Sequence, residues 1–367
     1  MKYLLISGIY PPEIGGPATY VPTLANALID QSNQVEVITL KNLNAPAQPE
    51  VWPVNYITRD QNLLLRFIKT VILIIRKTKP AESIFSNGLI QETAVALFFF
   101  KRKSVAKVVS DPVWERALNN GETYLNVVDF NNSNLKFKHK LQRILLRWSL
   151  NRFGVVTCPS IQLKNIIENW GVYKPIEFIS NGVSLVAEKS TALDFDLVTV
   201  CRLISLKNID KMIRASVKTN VSVAIVGSGP EEYKLKELAG SLGANVTFLG
   251  QLDKNKVNKI LLRSKIYLNL SDHEGLSFSL LEAMSCGLPS IVSNIQGNTN
   301  VITNGLDGIV VDVKNENQLI NAIKTLIDSQ STRLEYGLAA RSKIKSKYLQ
   351  EIQIGKVINL LTIGIKK

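Results

Sequence analysis

Short apolar runs that end at glycine- or proline-containing turns, each followed by a helical stretch, recur along this chain. That alternation constrains the fold more than any other feature. Parallel strands need long crossovers, and a helix is the usual one. The first series predicts strands at residues 3–9, 35–40, 83–85, 105–109, 155–158 and 176–179. Helices fall at 19–30, 63–77, 91–100, 135–153 and 161–170. The pattern pauses over residues 183–195, which are polar and irregular and read as a hinge. A second series predicts strands at 197–201, 221–226, 246–249, 266–270, 290–293 and 308–311, with helices near 207–218, 231–241, 255–263, 279–285 and 317–329. The expectation is an α/β chain of two Rossmann-like, doubly wound domains facing across a cleft, with a ligand at the C-terminal ends of the strands. Residues 341–363 form a basic helical tail with no strand after it.

The 367 residues are 46% hydrophobic, enough for two cores without disulfides or a structural metal. Cys158, Cys201 and Cys286 lie far apart with no CxxC, which fits a reducing cytosol better than a disulfide framework. His139 and His273 are the only histidines, too few for a His-rich metal site. The apolar stretches 63–75 and 94–100 fall short of the roughly 20 residues of a spanning helix. The start of the chain, MKYLLISGIYPPEIGG, reads as a first strand rather than a secretory leader.

Net charge is +14. Two segments concentrate it without any acid: 61–79 with Arg66, Lys69, Arg76, Lys77 and Lys79, and 131–152 with Lys136, Lys138, Lys140, Arg143, Arg147 and Arg152. Basic helices backed by apolar residues suit an anionic membrane surface, or serve as ordinary solvated faces. No nucleic-acid-binding signature accompanies them.

The sharpest local signal is SDHEGLSFSLLEAMSCGLP at residues 271–289. A strand ends, a loop carries Glu274 and Gly275, and a helix opens with Glu282 about one turn in. Free N–H groups at a helix start suit a phosphate, and a carboxylate one turn in can hold vicinal hydroxyls. Ser279 and Glu282 also have the spacing of a capping box.

This frame, E-G-x-x-x-x-L-L-E-A-M-x-x-G-x-P, resembles the signature of glycosyltransferase family 4 (glycosyl transferases group 1), retaining nucleotide-sugar-dependent enzymes of the GT-B fold. The likeness covers nearly the whole chain. It implies an acceptor-side domain at 1–184, a nucleotide-sugar-binding domain at 185–345, and a C-terminal helix at 346–367 packing back on the first domain. LVTVCRLISLK at 197–207 resembles the family's R-L-x-x-x-K, so Arg202 and Lys207 are implied at the donor diphosphate, where cations stabilise the leaving charge. Glu274 is implied at the donor sugar and Glu282 at the ribose. VAIVGSGP resembles the family's G-x-G-P turn (Gly227, Gly229), VTFLG its strand near the base (Gly250), and PPEIGGPATYV its Gly-Gly loop (Gly15, Gly16). Gly275, Leu276 and Ser277 complete the donor loop.

The resemblance implies no metal and no cofactor beyond the nucleotide sugar as substrate. Asp194-Phe195-Asp196 spells a D-x-D but lies in the hinge. Two departures stand out. The family's first-domain histidine is missing, and residues 110–123 offer Asp111, with Trp114, Glu115 and Arg116 behind it, on the acceptor side. After Gln296-Gly297, amides replace the family's acid. The implied activity is sugar transfer to a glycan or lipid-linked acceptor in cell-surface polysaccharide or lipopolysaccharide-type assembly. The setting would be peripheral, at the cytoplasmic face of an anionic membrane. A nucleotide-sugar 2-epimerase of the same fold and a non-catalytic sugar- or lipid-binding relative are the alternatives. A dehydrogenase fits poorly, because Glu232 stands where the third glycine of G-x-G-x-x-G belongs.

Overall fold

A computed structural model of the chain describes residues 1–13, 15–42, 51–186 and 193–363. It divides into two compact units, Met1–Ser180 with Gln353–Lys367, and Asn181–Ile352. In the first, the described residues form seven parallel strands: β1 (Lys2–Ser7), β2 (Gln34–Lys41), β3 (Val54–Thr58), β4 (Ser83–Asn87), β5 (Lys103–Lys107), β6 (Val155–Cys158) and β7 (Ile176–Phe178). Their order is β3-β2-β1-β4-β5-β6-β7. In the second, six strands follow: β8 (Phe195–Val200), β9 (Val223–Val226), β10 (Val246–Gly250), β11 (Ser264–Asn269), β12 (Ser290–Ser293) and β13 (Gly308–Val311), ordered β10-β9-β8-β11-β12-β13. The central strands are buried along nearly their whole length, as continuous apolar runs must be when helices cover both sheet faces. Both units are Rossmann-like, as the alternation predicts.

The order of each sheet reverses beside its first strand, between β1 and β4 and between β8 and β11. At such a switch point the following loops turn to opposite faces and leave a crevice.

Differences from the sequence expectation have local causes. Strand β3 is an edge strand of half-buried residues, and its mixed sequence VNYIT carries no apolar run. Helices Pro112–Asn119 and Val127–Asn132 are short, and the second falls below any helical period. The basic tail is two helices rather than one. Gln330–Lys343 runs into a π-type turn at Ile344–Tyr348, Leu349 is extended, and Gln350–Thr362 follows. Leu349 bridges to Val183, with Val183 N–H donating to the Tyr348 carbonyl and Gln350 N–H to that of Val183. This bridge keeps both segments in the second unit, so its limits fall at 181 and 352 rather than 185 and 345. From Gln353 onward the last helix belongs to the first unit. Ser83 Oγ donates to the Leu361 carbonyl (2.9 Å), Tyr3 meets Thr362 hydroxyl to hydroxyl (3.1 Å), and the Lys103 ammonium reaches the Thr362 carbonyl. Residues 187–192 of the expected hinge lie outside the described residues.

Candidate active site

In the second unit the loops after β8 and β11, the two strands at the switch point, are tied to each other. After β8 the chain passes Arg202 and a 3-10 turn, Ser205–Lys207, to Asn208 in the left-handed region (φ 50°). Asn208 Nδ2 donates to the Leu270 carbonyl and to Asp272 Oδ1, both at 2.8 Å. Asp272 N–H returns a bond to the Leu206 carbonyl (2.9 Å). This lacing brings Lys207 into an ion pair with Glu274, whose carboxylate also accepts from Ser271 Oγ at 3.2 Å. Both side chains are half-buried. Arg202 is exposed, and its guanidinium has no ion-pair partner among the described residues.

Gly227 and Gly229 owe their identity to close approach. A Cβ on Gly227 would stand 1.9 Å from the Cys201 carbonyl oxygen, and one on Gly229 2.3 Å from that of Leu203. These glycines let the turn after β9 support the backbone on either side of Arg202. Gly250 closes β10, its carbonyl accepting from Gly227 N–H at 2.7 Å.

Ser277 caps the helix Phe278–Ser285, its hydroxyl accepting from Leu280 N–H. The helix therefore starts earlier than expected, and Ser279 with Glu282 is not a capping box. Ser279 instead shares its hydroxyl with Tyr267 and Ser277. Glu282 has no hydrogen-bond partner among the described residues, and burial pushes its carboxyl above the usual range, with Lys254 pulling the other way. Gly275 and Leu276 lie in the loop between Glu274 and the cap, and the Leu276 carbonyl accepts from Asn181 Nδ2 at 3.4 Å.

The D-x-D carboxylates are engaged elsewhere. Asp194 pairs with Arg263, and Asp196 with Lys265 and the Ser222 hydroxyl.

In the first unit, Gly15 precedes and Gly16 opens the helix Gly16–Asp30. Asp111 does not have the free carboxylate that its sequence position suggests. It is fully buried and caps Pro112–Asn119, accepting from Val113 N–H (2.9 Å) and Trp114 N–H (3.2 Å). Its other oxygen takes Arg143 (2.8 Å) and Asn131 (2.9 Å). Trp114 is also core, its indole N–H donating to the Leu125 carbonyl. Arg116 is exposed, and Glu115 alone of the four lines a cavity.

That cavity, of about 510 Å³, sits at the switch point between β1 and β4 and is lined by Gly8, Arg59, Arg66, Asn87, Lys107 and Ser110 among others. Sequence motifs do not mark Lys107 or Asn87. The only signal is a lysine inside the buried run VAKVV.

The model for Glycosyltransferase Family 4 matches residues 14–186, and that for Glycosyl transferases group 1 matches residues 187–343. The chain belongs to this glycosyltransferase family. An uncharacterized glycosyltransferase of Methanocaldococcus jannaschii is 25% identical over 95% of both chains. A GDP-mannose-dependent monoacylated α-(1-6)-phosphatidylinositol monomannoside mannosyltransferase of Corynebacterium glutamicum is 29% identical over 44% of this chain and 45% of its own length. Among solved structures, Anabaena HepE in complex with UDP and glucose matches with a TM-score of 0.80 over 99% of this glycosyltransferase and 100% of that chain, at 17% identity. The fold is GT-B.

Proposed function

We propose that the chain transfers a sugar, with retention of anomeric configuration and without a metal, from a nucleoside-diphosphate sugar to a glycan or lipid-linked acceptor in cell-surface glycan assembly. The observation that carries this reading is the Lys207–Glu274 pair at the β8/β11 switch point, with an exposed Arg202 on the loop after β8 and a Glu282 without a hydrogen-bond partner among the described residues in the helix after β11. In this reading Arg202 and Lys207 neutralise the diphosphate as the glycosidic bond breaks. Glu274 holds sugar hydroxyls and orients Lys207, and Glu282 holds the ribose. The leaving phosphate oxygen takes the acceptor's proton as the acceptor attacks from the same face, so no protein nucleophile is needed. UDP in the HepE structure supports a nucleotide donor.

The reading includes peripheral attachment to the cytoplasmic face of an anionic membrane. No helix among the described residues is long and apolar enough to cross one. Neighbouring helices of the first unit, Leu63–Thr78, Ile90–Phe99 and Phe137–Leu150, carry outward apolar side chains. Leu64 is 69% exposed, Phe99 63% and Phe137 83%. Lys69, Arg76, Lys136, Lys140 and Arg147 flank them. Apolar insertion with basic flanks complements an anionic leaflet, and the Corynebacterium relative is named for a phosphatidylinositol-based substrate.

The test is proton NMR of the first product formed from a panel of nucleotide sugars, with and without EDTA. The expected result is an α-configured product from an α-linked donor, unaffected by EDTA. An inverted product, or a reaction restored only by added manganese or magnesium, would contradict the reading.

A further inference from the structure

The cavity of the first unit is lined by cationic and amide groups, two of which, the Lys107 ammonium and the Asn87 amide nitrogen, the fold leaves unanswered. Lys107, the last residue of β5, is 3% exposed, and its ammonium has no hydrogen-bond partner. The ring of Tyr20 lies 4.2 Å away, and the Tyr20 hydroxyl is itself unsatisfied. Asn87, at the end of β4, is buried with its amide nitrogen equally unpartnered. Because Ser86 pairs with Ala106 across the sheet, these two side chains leave adjacent strands at the same level. Arg59 reaches the same wall. Its guanidinium donates to the Gly8 carbonyl and pairs with Glu13 at 3.1 Å, while its buried Nε makes no bond. Arg66 donates to the Arg59 carbonyl at 3.4 Å and lines the cavity beside it. Glu13 answers Arg59, Glu92 acts electrostatically on Arg66, and Glu115 lines the cavity, so that among the described residues Lys107 is the cation left without a carboxylate partner.

An uncompensated buried ammonium is costly, and burial pushes that of Lys107 down to about 8. Such a group is stabilised when an anion meets it. Lysine, arginine and amide N–H groups converging from separate chain segments match an oxyanion with several acceptor oxygens better than a single carbonyl. Ile9, Val108, Ile90 and Leu146 supply apolar wall, so the cavity has room for the group that carries the anion.

We propose that this cavity is the acceptor's anion subsite, in which Lys107, Arg59, Arg66 and Asn87 hold a phosphate or diphosphate group of the acceptor. The proposal rests on the transferase reading and specifies its acceptor class, a phosphorylated molecule rather than a neutral glycan.

The test is calorimetric titration of the full chain with inorganic pyrophosphate, comparing wild type with Lys107→Met, Arg66→Gln and Arg202→Ala. A binding phase that survives Arg202→Ala and weakens about tenfold or more in both Lys107→Met and Arg66→Gln is expected, since each removes a charge-assisted bond. Arg66 is half-buried on a helix surface, so its variant tests the subsite independently of any change in the core around Lys107. Unchanged pyrophosphate binding in both variants, or loss of all binding in Arg202→Ala, would overturn the subsite. A lysine-sensitive phase with no effect of Arg202→Ala would instead leave the subsite standing and count against the donor site. Sedimentation with phosphatidylcholine vesicles, with and without a prenyl diphosphate, separates the sources. Retention by the prenyl diphosphate that is lost in Lys107→Met supports a lipid-borne anion, and pyrophosphate binding without such retention supports a soluble one.

Discussion

Lys207 and Glu274 form an ion pair; in the proposed reading a bound diphosphate would compete for the ammonium while the carboxylate turned to sugar hydroxyls. Removing the cation costs both interactions. Lys207→Ala or Arg202→Ala should lower kcat about 100-fold or more, the scale expected when one charge-stabilising group is lost from a desolvated site. Steady-state kinetics on folded protein check this, and rates within a few-fold of wild type for both would remove them from the reaction. Lys107 makes a different kind of statement, about stability. Its pKa falls from 10.5 in the free side chain to about 8 in the folded chain. Between those values the unfolded state binds more protons at this site, so the contribution of Lys107 to stability rises with pH across that window and is most unfavourable below pH 8. Lys107→Met should therefore raise the thermal midpoint most below pH 8, by an amount equivalent to about 3 kcal/mol, and the gain should vanish near pH 10.5. Thermal melts at several pH values read this directly, and a variant destabilised below pH 8 would contradict it. These residues also differ in how legible they are. Lys207 and Glu274 stand in sequence frames that resemble a family signature, and it is that resemblance which implies their roles. Lys107 becomes distinctive only when strand pairing buries it beside Asn87.

The helix Phe137–Leu150 carries two kinds of basic residue, and composition cannot tell them apart. Arg143 is nine-tenths buried, bonded to Asp111 and stacked 4.2 Å over Trp170. It joins two helices to the core. Arg143→Ala leaves the Asp111 carboxylate buried without its cation, which costs about 3–5 kcal/mol. The corresponding fall in thermal midpoint is roughly 10 °C for a unit of this size, and no measurable fall would mean that the pair is dispensable. Arg143 thus leaves the candidate membrane face, while Trp148, Leu64 and Ile68, all exposed, join it. Each basic residue near an anionic leaflet contributes about 1 kcal/mol. Reversing charge at Lys69, Lys136, Lys140 and Arg147 should abolish most sedimentation with anionic vesicles. The remaining attraction should weaken as salt shortens the Debye length from about 10 Å at 0.1 M to about 3 Å at 1 M. Equal binding of variant and wild type, or equal binding to neutral vesicles, would make the face an ordinary surface. Helical periodicity locates these elements, because it reports that an apolar stripe exists. It cannot report what covers that stripe, nor a short edge strand such as β3, whose residues are held by a neighbour rather than by their own pattern.

At the scale of the molecule, two parallel-sheet units each present a crevice where strand order reverses, and each crevice is rich in cationic or amide groups. The doubled alternation of strand and helix encodes this architecture locally, which is why the sequence alone discloses it. The return of the last helix to the first unit follows from contacts that connect Ser83 with Leu361 across most of the chain, and no local pattern encodes them. The central claim is that the crevice of the second unit binds a nucleoside diphosphate through Arg202, Lys207 and Glu282. The most direct measurement is thermal unfolding in the presence of a panel of nucleoside diphosphates. A ligand at about 100 times its Kd adds about 2.7 kcal/mol to the folded state, which for domains of this size is a rise of roughly 5–10 °C. The expected result is such a rise with at least one nucleoside diphosphate, lost in Lys207→Ala and Arg202→Ala and retained in Lys107→Met. No rise with any of them, or a rise that survives both substitutions, would contradict the account.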